Sequence, residues 1–123
     1  MMAMVLGVSI AGVVGTLLRF GLSQWIAQHL PRHAFLATLL INLLGCAAIG
    51  FLYVWAGRHE LSLPIRQALL VGFLGAFTTF STFSLDALRL FEDGRIALAI
   101  GYVALSVFGG LASAWLGVTL ARL

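Results

Sequence analysis

The sequence has 123 residues, of which 62% are hydrophobic and only 9% are charged, and its mean hydropathy is +1.10. A soluble domain of this length needs more charged surface than seven arginines and four acidic residues supply, so the composition predicts an integral membrane protein. The arginines are scattered, which argues against nucleic-acid binding. The single cysteine, Cys46, excludes an intrachain disulfide and a cysteine-based metal site.

Four apolar windows are long enough to cross the hydrocarbon core, which takes about 20 helical residues. They span residues 4–27, 34–56, 64–90 and 96–121. Short polar segments (HLPRH, GRHELSLP and FEDGR) separate them, and Pro64 suits a helix start. We interpret the first window as a retained transmembrane helix. The prediction is an all-α membrane protein in which residues 1–123 form one four-helix transmembrane domain.

The arginines near the window ends are divided equally between the two membrane faces. They are Arg58, Arg66 and Arg122 on one face, and Arg32, Arg89 and Arg95 on the other. Positive charge in short loops normally sets orientation, so this balance indicates a chain that inserts in both directions. Because four helices are too few to enclose a pore, we expect a dimer of two oppositely oriented copies. The alternative is that the equal division is a chance result in a small sample.

Two polar residues interrupt the first and second windows, where polar groups are costly and point to function. Arg19 in GTLLRF has two interpretations: its side chain extends to the nearer interface, or it contacts an anion. Asn42 in INLLG also has two: an interhelical hydrogen bond, or donation of its amide NH2 to a dehydrated anion.

The third window carries the most informative segment, GFLGAFTTFSTFSLD, with two glycines, five hydroxyl side chains and four phenylalanines. A plain lipid-spanning helix has no need of this composition. A continuous helix over residues 64–90 would also rise about 40 Å, which exceeds the roughly 30 Å core. We therefore predict a break near Gly75 to Thr79. Such a break frees carbonyls to hold a cation and amides to favour an anion.

Aromatic and hydroxyl side chains recur at helical spacing in the last two windows. Phe80 and Phe83 share a face; such rings usually serve packing, but their positive edges could also line an anion path. In the fourth window Tyr102, Ser106 and Ser113 share one face as well. That polar stripe is weak alone, because serine also bonds to its own helix.

Three of these motifs, GVVGTLLRF, INLLG and GAFTTFSTFS, match a known family. Over essentially its whole length, the chain resembles the Fluc fluoride channels, also called CrcB. The resemblance implies dual-topology homodimers in the cell (inner) membrane, with the third helix broken mid-membrane and two fluoride pores at the subunit interface. It also implies passive fluoride export, which lowers intracellular fluoride toxicity.

The resemblance also assigns roles to individual residues. The pore residues would be Asn42, Phe80, Phe83, Ser81, Thr82, Tyr102 and Ser106. Backbone carbonyls of Gly75 and Thr78 would hold a structural sodium ion (Na+) at the dimer interface. Asp86 stands where a Glu is common in the family and would border an entrance; from its charge within the first window we also expect Arg19 to belong to such a vestibule. The chain departs from the family at Gly110, where a second serine of the polar track is often found, and Ser113 is a candidate replacement.

Other functions fit the sequence less well. Small multidrug exporters also have four short helices and dual topology. Proteins of that kind look to need a membrane-embedded Glu in the first helix, which couples proton movement to the transport of cationic substrates. This chain has no carboxylate before Glu60. An integral membrane enzyme would need clustered carboxylates and a phosphate-binding loop, which the four scattered acids do not supply. A purely structural partner subunit is a further alternative, but it would leave the five hydroxyl side chains of the segment GFLGAFTTFSTFSLD unexplained.

Overall fold

The computed structural model describes all 123 residues, and nearly all of them are helical. The first helix is Met2–His29, the second is Phe35–Arg58, the third span is Leu63–Glu92 and the fourth helix is Ile96–Arg122. All four are long and apolar enough to cross a membrane, which confirms the predicted class. Helices suit this setting because they satisfy their own backbone hydrogen bonds within one segment.

The third span has two halves. The first half, residues 63–77, begins with the α-helical turn Leu63–Gln67, passes through a π-helical segment, Ala68–Phe73, and ends with Leu74–Phe77. The second half is the helix Phe80–Glu92. Two extended residues, Thr78 and Thr79, separate the halves.

Tight turns end the second helix and the third span. At each one the chain takes a left-handed conformation, at Glu60 (φ 49°) and at Gly94 (φ 73°). The next N–H then donates back five residues, from Leu61 to the Ala56 carbonyl and from Arg95 to the Leu90 carbonyl. This geometry satisfies the last carbonyls of a helix and reverses the chain within a few residues.

Glycines set how closely the helices pack. The second and fourth helices run parallel and touch backbone to backbone, because a Cβ at Gly50 would overlap the Ala114 carbonyl and one at Gly117 would overlap the Ala47 carbonyl. The first helix packs in the same way on the first half of the third span, with Gly15 against the Phe73 carbonyl. Small residues at such contacts are typical of helix association in membranes.

The remaining core lies between the second half of the third span and its neighbours. It contains Leu39, Ala87, Leu90, Ala99 and Tyr102. Only 18 of 123 residues are buried, and large apolar side chains cover the outside of the chain. This is the surface expected of a chain surrounded by lipid, and the chain is a multi-pass membrane protein.

Candidate functional site

The break in the third span opens the helical hydrogen-bond ladder near the middle of the membrane-spanning segment. The backbone is extended at Thr78 (φ −83°, ψ 159°) and at Thr79 (φ −150°, ψ 119°). The N–H of Thr78 still donates to the Leu74 carbonyl, at 3.0 Å. Beyond it, peptide groups on both sides of the break lose their helical partners and must be satisfied by other groups.

Asn42 replaces both lost partners of Thr79. The N–H of Thr79 donates to Asn42 Oδ1 at 2.8 Å, and Asn42 Nδ2 donates to the Thr79 carbonyl at 2.9 Å. The second helix can come this close because Gly45 faces the break, where a Cβ would overlap the side chain of Thr78. The interhelical role is therefore what the structure shows for Asn42, and one of its two amide hydrogens has no partner within the chain.

The side chain of Thr79 begins the second half of the third span. Its Oγ1 accepts a hydrogen bond from the Thr82 N–H at 3.3 Å and donates to Thr82 Oγ1 at 3.0 Å. This is the N-cap arrangement, which satisfies one of the free N–H groups at a helix start. Thr79 thus caps the N-terminus of the second half with its side chain, while its backbone is bound by Asn42.

Arg19 contacts the other side of the break. Its Nε donates to the carbonyl of Ala76 at 3.0 Å, in a partly buried position. The side chain therefore does not simply extend to the membrane interface, which was one of its two interpretations. Gly15 lies one turn earlier on the first helix and brings that helix against the first half of the third span.

An open groove of about 350 Å³ runs along the break between the second helix, the third span and the fourth helix. Its polar lining comes from Asn42, Thr78, Thr79 and Ser106, and its aromatic lining from Phe80 and Phe83. Gly75 also lines it. The groove therefore combines amide, hydroxyl and backbone donors and acceptors with phenyl rings, and no charged side chain lines it.

Two buried hydroxyls, one turn apart on the fourth helix, make no hydrogen bond of good geometry within the chain. Ser106 Oγ lines the groove, whereas Tyr102 OH lies outside the lining, beside the side chains of Thr38 and Asp86. A buried polar group left unpaired costs about 1–3 kcal/mol. Such groups call for an explanation, and a ligand that accepts hydrogen bonds is one.

Aromatic rings continue from the groove into the subunit. The ring centroids of Phe80 and Phe83 are 5.5 Å apart, and those of Phe83 and Tyr102 are also 5.5 Å apart. Phe35 meets Tyr102 edge to face at 5.4 Å. Phe80 is 78% exposed, whereas Tyr102 is only 3% exposed. The series therefore runs from the outer surface of the subunit to its core.

The side chain of Asp86 is bound to the second helix by a hydrogen bond. Thr38 Oγ1 donates to Asp86 Oδ2 at 2.7 Å, and Thr38 is itself buried, at 5% exposure. Thr38 lies one turn before Asn42, so one face of the second helix carries all three of these hydrogen bonds to the third span.

Comparison with known proteins identifies the family. The family described as CrcB-like protein, Camphor Resistance (CrcB), matches residues 6–118. The chain belongs to the CrcB-like family. It is similar to curated proteins named fluoride-specific ion channel FluC, with 55% identity to that of Stutzerimonas stutzeri and 52% to that of Pseudomonas fluorescens strain Pf-5, over all of both chains. The protein of that name from Pseudomonas syringae pv. tomato is 51% identical, again over the full length of both.

The structure brings most of the predicted site residues of this CrcB-like chain together. Six of them line the one groove: Asn42, Gly75, Thr78, Phe80, Phe83 and Ser106. Ser81 is exposed and Thr82 is half-buried on the second half of the third span, next to Thr79. Tyr102 lies one turn from Ser106 in the core. Arg19 and Asp86 lie outside the groove lining, on hydrogen bonds of their own.

The polar stripe of the fourth helix does not extend along the groove. Ser113 is not among its lining residues, and Gly110 packs against the Cys46 side chain. The groove lining of the fourth helix is Ser106 and Val107.

Sequence reasoning did not single out Thr38, Gly15 or Gly45, and it named Thr79 as the end of the predicted break without its capping role. Thr79 had a usable signal, because threonine is a preferred N-cap and it precedes a helical run. Thr38 was also visible as a lone hydroxyl one turn before Asn42. The two glycines had no signal of their own, because their role depends on which backbone they face.

Proposed function

We propose that the chain is a subunit of a fluoride-selective channel that exports fluoride passively across the membrane and lowers its intracellular toxicity. The observation that carries this proposal is the convergence, at one groove, of the unpartnered hydroxyl of Ser106, the remaining amide hydrogen of Asn42 and the rings of Phe80 and Phe83. The similarity over full length to proteins named fluoride-specific ion channel supports the same function.

The chemistry of the groove suits a small, strongly hydrated anion. A pore must replace the hydration shell and still release the ion, so several weak contacts serve better than one strong charge. The hydroxyls of Tyr102 and Ser106, the remaining N–H of Asn42 and the positive edges of Phe80 and Phe83 are contacts of this kind. Ser81 and Thr82 add hydroxyls beside the break. A lining without arginine avoids a site that would trap the anion.

A second, inverted copy of the chain would complete the conduit. The groove is open, and Phe80 projects from the subunit with most of its ring uncovered. The equal distribution of arginines supports insertion in both orientations. A single cysteine introduced by Glu60→Cys in a Cys46→Ala background should react with an impermeant reagent from both sides of the membrane. Reaction from one side alone would contradict the inverted dimer.

The break also offers oxygen ligands for a structural sodium ion. The Thr78 carbonyl accepts no hydrogen bond, and the helical donor of the Gly75 carbonyl, the Thr79 N–H, is committed to Asn42. Carbonyls of unwound helices are suitable sodium ligands. No group of three or more His, Cys, Asp or Glu side chains offers an alternative metal site. Two carbonyls from each of two copies would share one ion, which is held rather than transported. Replacing sodium by potassium should lower flux; unchanged flux and stability would contradict this site.

The first experiment is fluoride efflux from liposomes that contain the purified protein. We expect efflux driven by the fluoride gradient alone, with chloride excluded. Phe80→Ile or Phe83→Ile should reduce flux and leave the dimer intact. Phe20→Ile, on an exposed phenylalanine of the first helix that does not line the groove, is the matched control. Equal efflux of chloride and fluoride would overturn the assignment, and proton-coupled cation flux would indicate an exporter.

A further inference from the structure

We propose that Arg19 is a positioning residue that fixes the end of the first half of the third span and neutralises the backbone charge exposed there. This inference deepens the proposed function, on which it rests for its effect on transport. It begins from the hydrogen bond between Arg19 Nε and the Ala76 carbonyl, which joins residues 57 positions apart in the sequence.

The hydrogen bond falls where the helix cannot satisfy itself. In an unbroken helix the Ala76 carbonyl would accept from the N–H of Phe80, but Thr78 and Thr79 are extended between them. Carbonyls at a helix end need an outside partner, and in a membrane water is not freely available. Arg19 supplies that partner from the neighbouring helix.

The charge of Arg19 matters as well as its hydrogen bond. A helix C-terminus carries roughly half a negative charge, so a broken helix beside an anion path would repel the anion. A guanidinium group remains protonated under all ordinary conditions. Placed at the Ala76 carbonyl, it offsets this negative end from outside the groove lining, where it does not trap the ion.

Gly15 makes the contact possible. A Cβ at Gly15 would overlap the Phe73 carbonyl and crowd the Phe77 N–H, so only glycine allows the first helix to lie this close. Arg19 follows one turn later, on the same face, and therefore reaches the last turn before the break. Gly15 and Arg19 thus act together: Gly15 allows the close approach, and Arg19 makes the hydrogen bond.

The second helix has a similar pair, a glycine and a polar residue, on the other side of the break. Gly45 faces Thr78, and Asn42, three residues earlier on the same face, holds the backbone of Thr79. Each neighbouring helix therefore has a glycine for close approach and a polar side chain one turn away that replaces lost backbone hydrogen bonds. This repetition supports a positioning role for Arg19, distinct from contact with the transported ion.

The test uses hydrogen–deuterium exchange of the reconstituted protein together with fluoride efflux. In Arg19→Gln, amide exchange in the peptide covering residues 72–80 should accelerate about tenfold or more, as expected when a charged, partly buried hydrogen bond is lost. Exchange in the fourth helix should stay at the wild-type level, and fluoride efflux should fall by about the same factor. Gln24→Leu, on an exposed amide later in the first helix, should change neither quantity.

Two more variants keep the inference testable if Arg19→Gln folds poorly. Arg19→Lys retains the charge and a donor, so its exchange and efflux should lie between those of wild type and Arg19→Gln. Gly15→Ala should accelerate exchange in residues 72–80 although Arg19 is present, whereas Gly21→Ala, with open space around it on the same helix, should not.

The possible outcomes separate this inference from the proposed function. Reduced efflux in Arg19→Gln with unchanged exchange in residues 72–80 would mean that Arg19 acts on the anion directly, and would overturn the positioning role. Unchanged exchange and unchanged efflux would also overturn it. If the wild-type protein conducts no fluoride, the proposed function fails, whereas the exchange comparison still decides whether Arg19 holds the break.

Discussion

Two helix pairs in this protein use the same close contact, glycine against a neighbouring backbone, with different consequences. Between the second and fourth helices, Gly50 and Gly117 meet carbonyls of helices that are continuous on both sides. Between the first helix and the third span, Gly15 meets a helix that ends one turn later. The first pair is a close contact between two unbroken helices. The second pair stands beside backbone groups that need partners.

The difference shows that close packing alone does not make a site. What distinguishes the broken span is a polar side chain one turn from each glycine: Arg19 beside Gly15, and Asn42 beside Gly45. The contact of Gly50 and Gly117 has no such polar neighbour bonded across it, and Arg58 Nη1 donates to the Ala121 carbonyl at 2.5 Å only at the far end of the helix pair. Substitutions in the two regions should therefore have different effects on transport and on stability.

The largest effect is expected from Asn42→Leu, which removes both hydrogen bonds to the backbone of Thr79. Two partly buried backbone groups are then left unpaired, at about 1–3 kcal/mol each. We expect fluoride efflux to fall at least about a hundredfold, with faster amide exchange around the break. Gln24→Leu, which removes an exposed amide from the first helix, serves as the control. Wild-type efflux in Asn42→Leu would contradict the role given to this contact.

A stability effect without a specific transport defect is expected from Gly117→Ala. The added Cβ would overlap the Ala47 carbonyl and force the second and fourth helices apart, which should cost about 1–3 kcal/mol. Thermal unfolding in detergent measures this loss. Efflux per folded protein should stay near the wild-type value. Gly101→Ala lies on the same helix with nothing nearby and should not lower the melting temperature.

A transport defect as large as that of Asn42→Leu in the folded fraction of Gly117→Ala would remove the distinction between the two regions. It would mean that the packing of the second and fourth helices sets the geometry of the break directly.

The sequence was sufficient to predict the four helices, because each is an apolar window of membrane-spanning length. It also located the break within Gly75 to Thr79 from the concentration of glycine and hydroxyl residues, and the structure has extended backbone at Thr78 and Thr79. It could not predict the π-helical segment Ala68–Phe73, whose residues are ordinary for an apolar helix. There Gly72 packs against the backbone of Val8, a tertiary contact with no local signature.

The partners of the polar residues were equally inaccessible from sequence. Arg19 and Asn42 were recognised as unusual because charges and amides are rare within spans, but the interpretations offered for Arg19 did not include a carbonyl of the broken helix. That carbonyl becomes available only once Thr78 and Thr79 are extended. A prediction from single residues identifies that a polar group needs a partner, whereas the identity of the partner depends on the fold.

The smallest effect is expected from Thr79→Ala, which tests the contribution of the side chain of this residue separately from that of its backbone. The substitution removes the cap on the Thr82 N–H, and such a loss typically costs about 1 kcal/mol. The two hydrogen bonds between the Thr79 backbone and Asn42 do not involve the deleted atoms. Efflux should therefore fall only a few-fold, far less than in Asn42→Leu. Ser84→Ala, which removes a hydroxyl bonded only to its own helix, should leave efflux unchanged. If efflux in Thr79→Ala instead fell as far as in Asn42→Leu, the hydroxyl of Thr79, rather than its backbone, would be the group at the break on which transport depends.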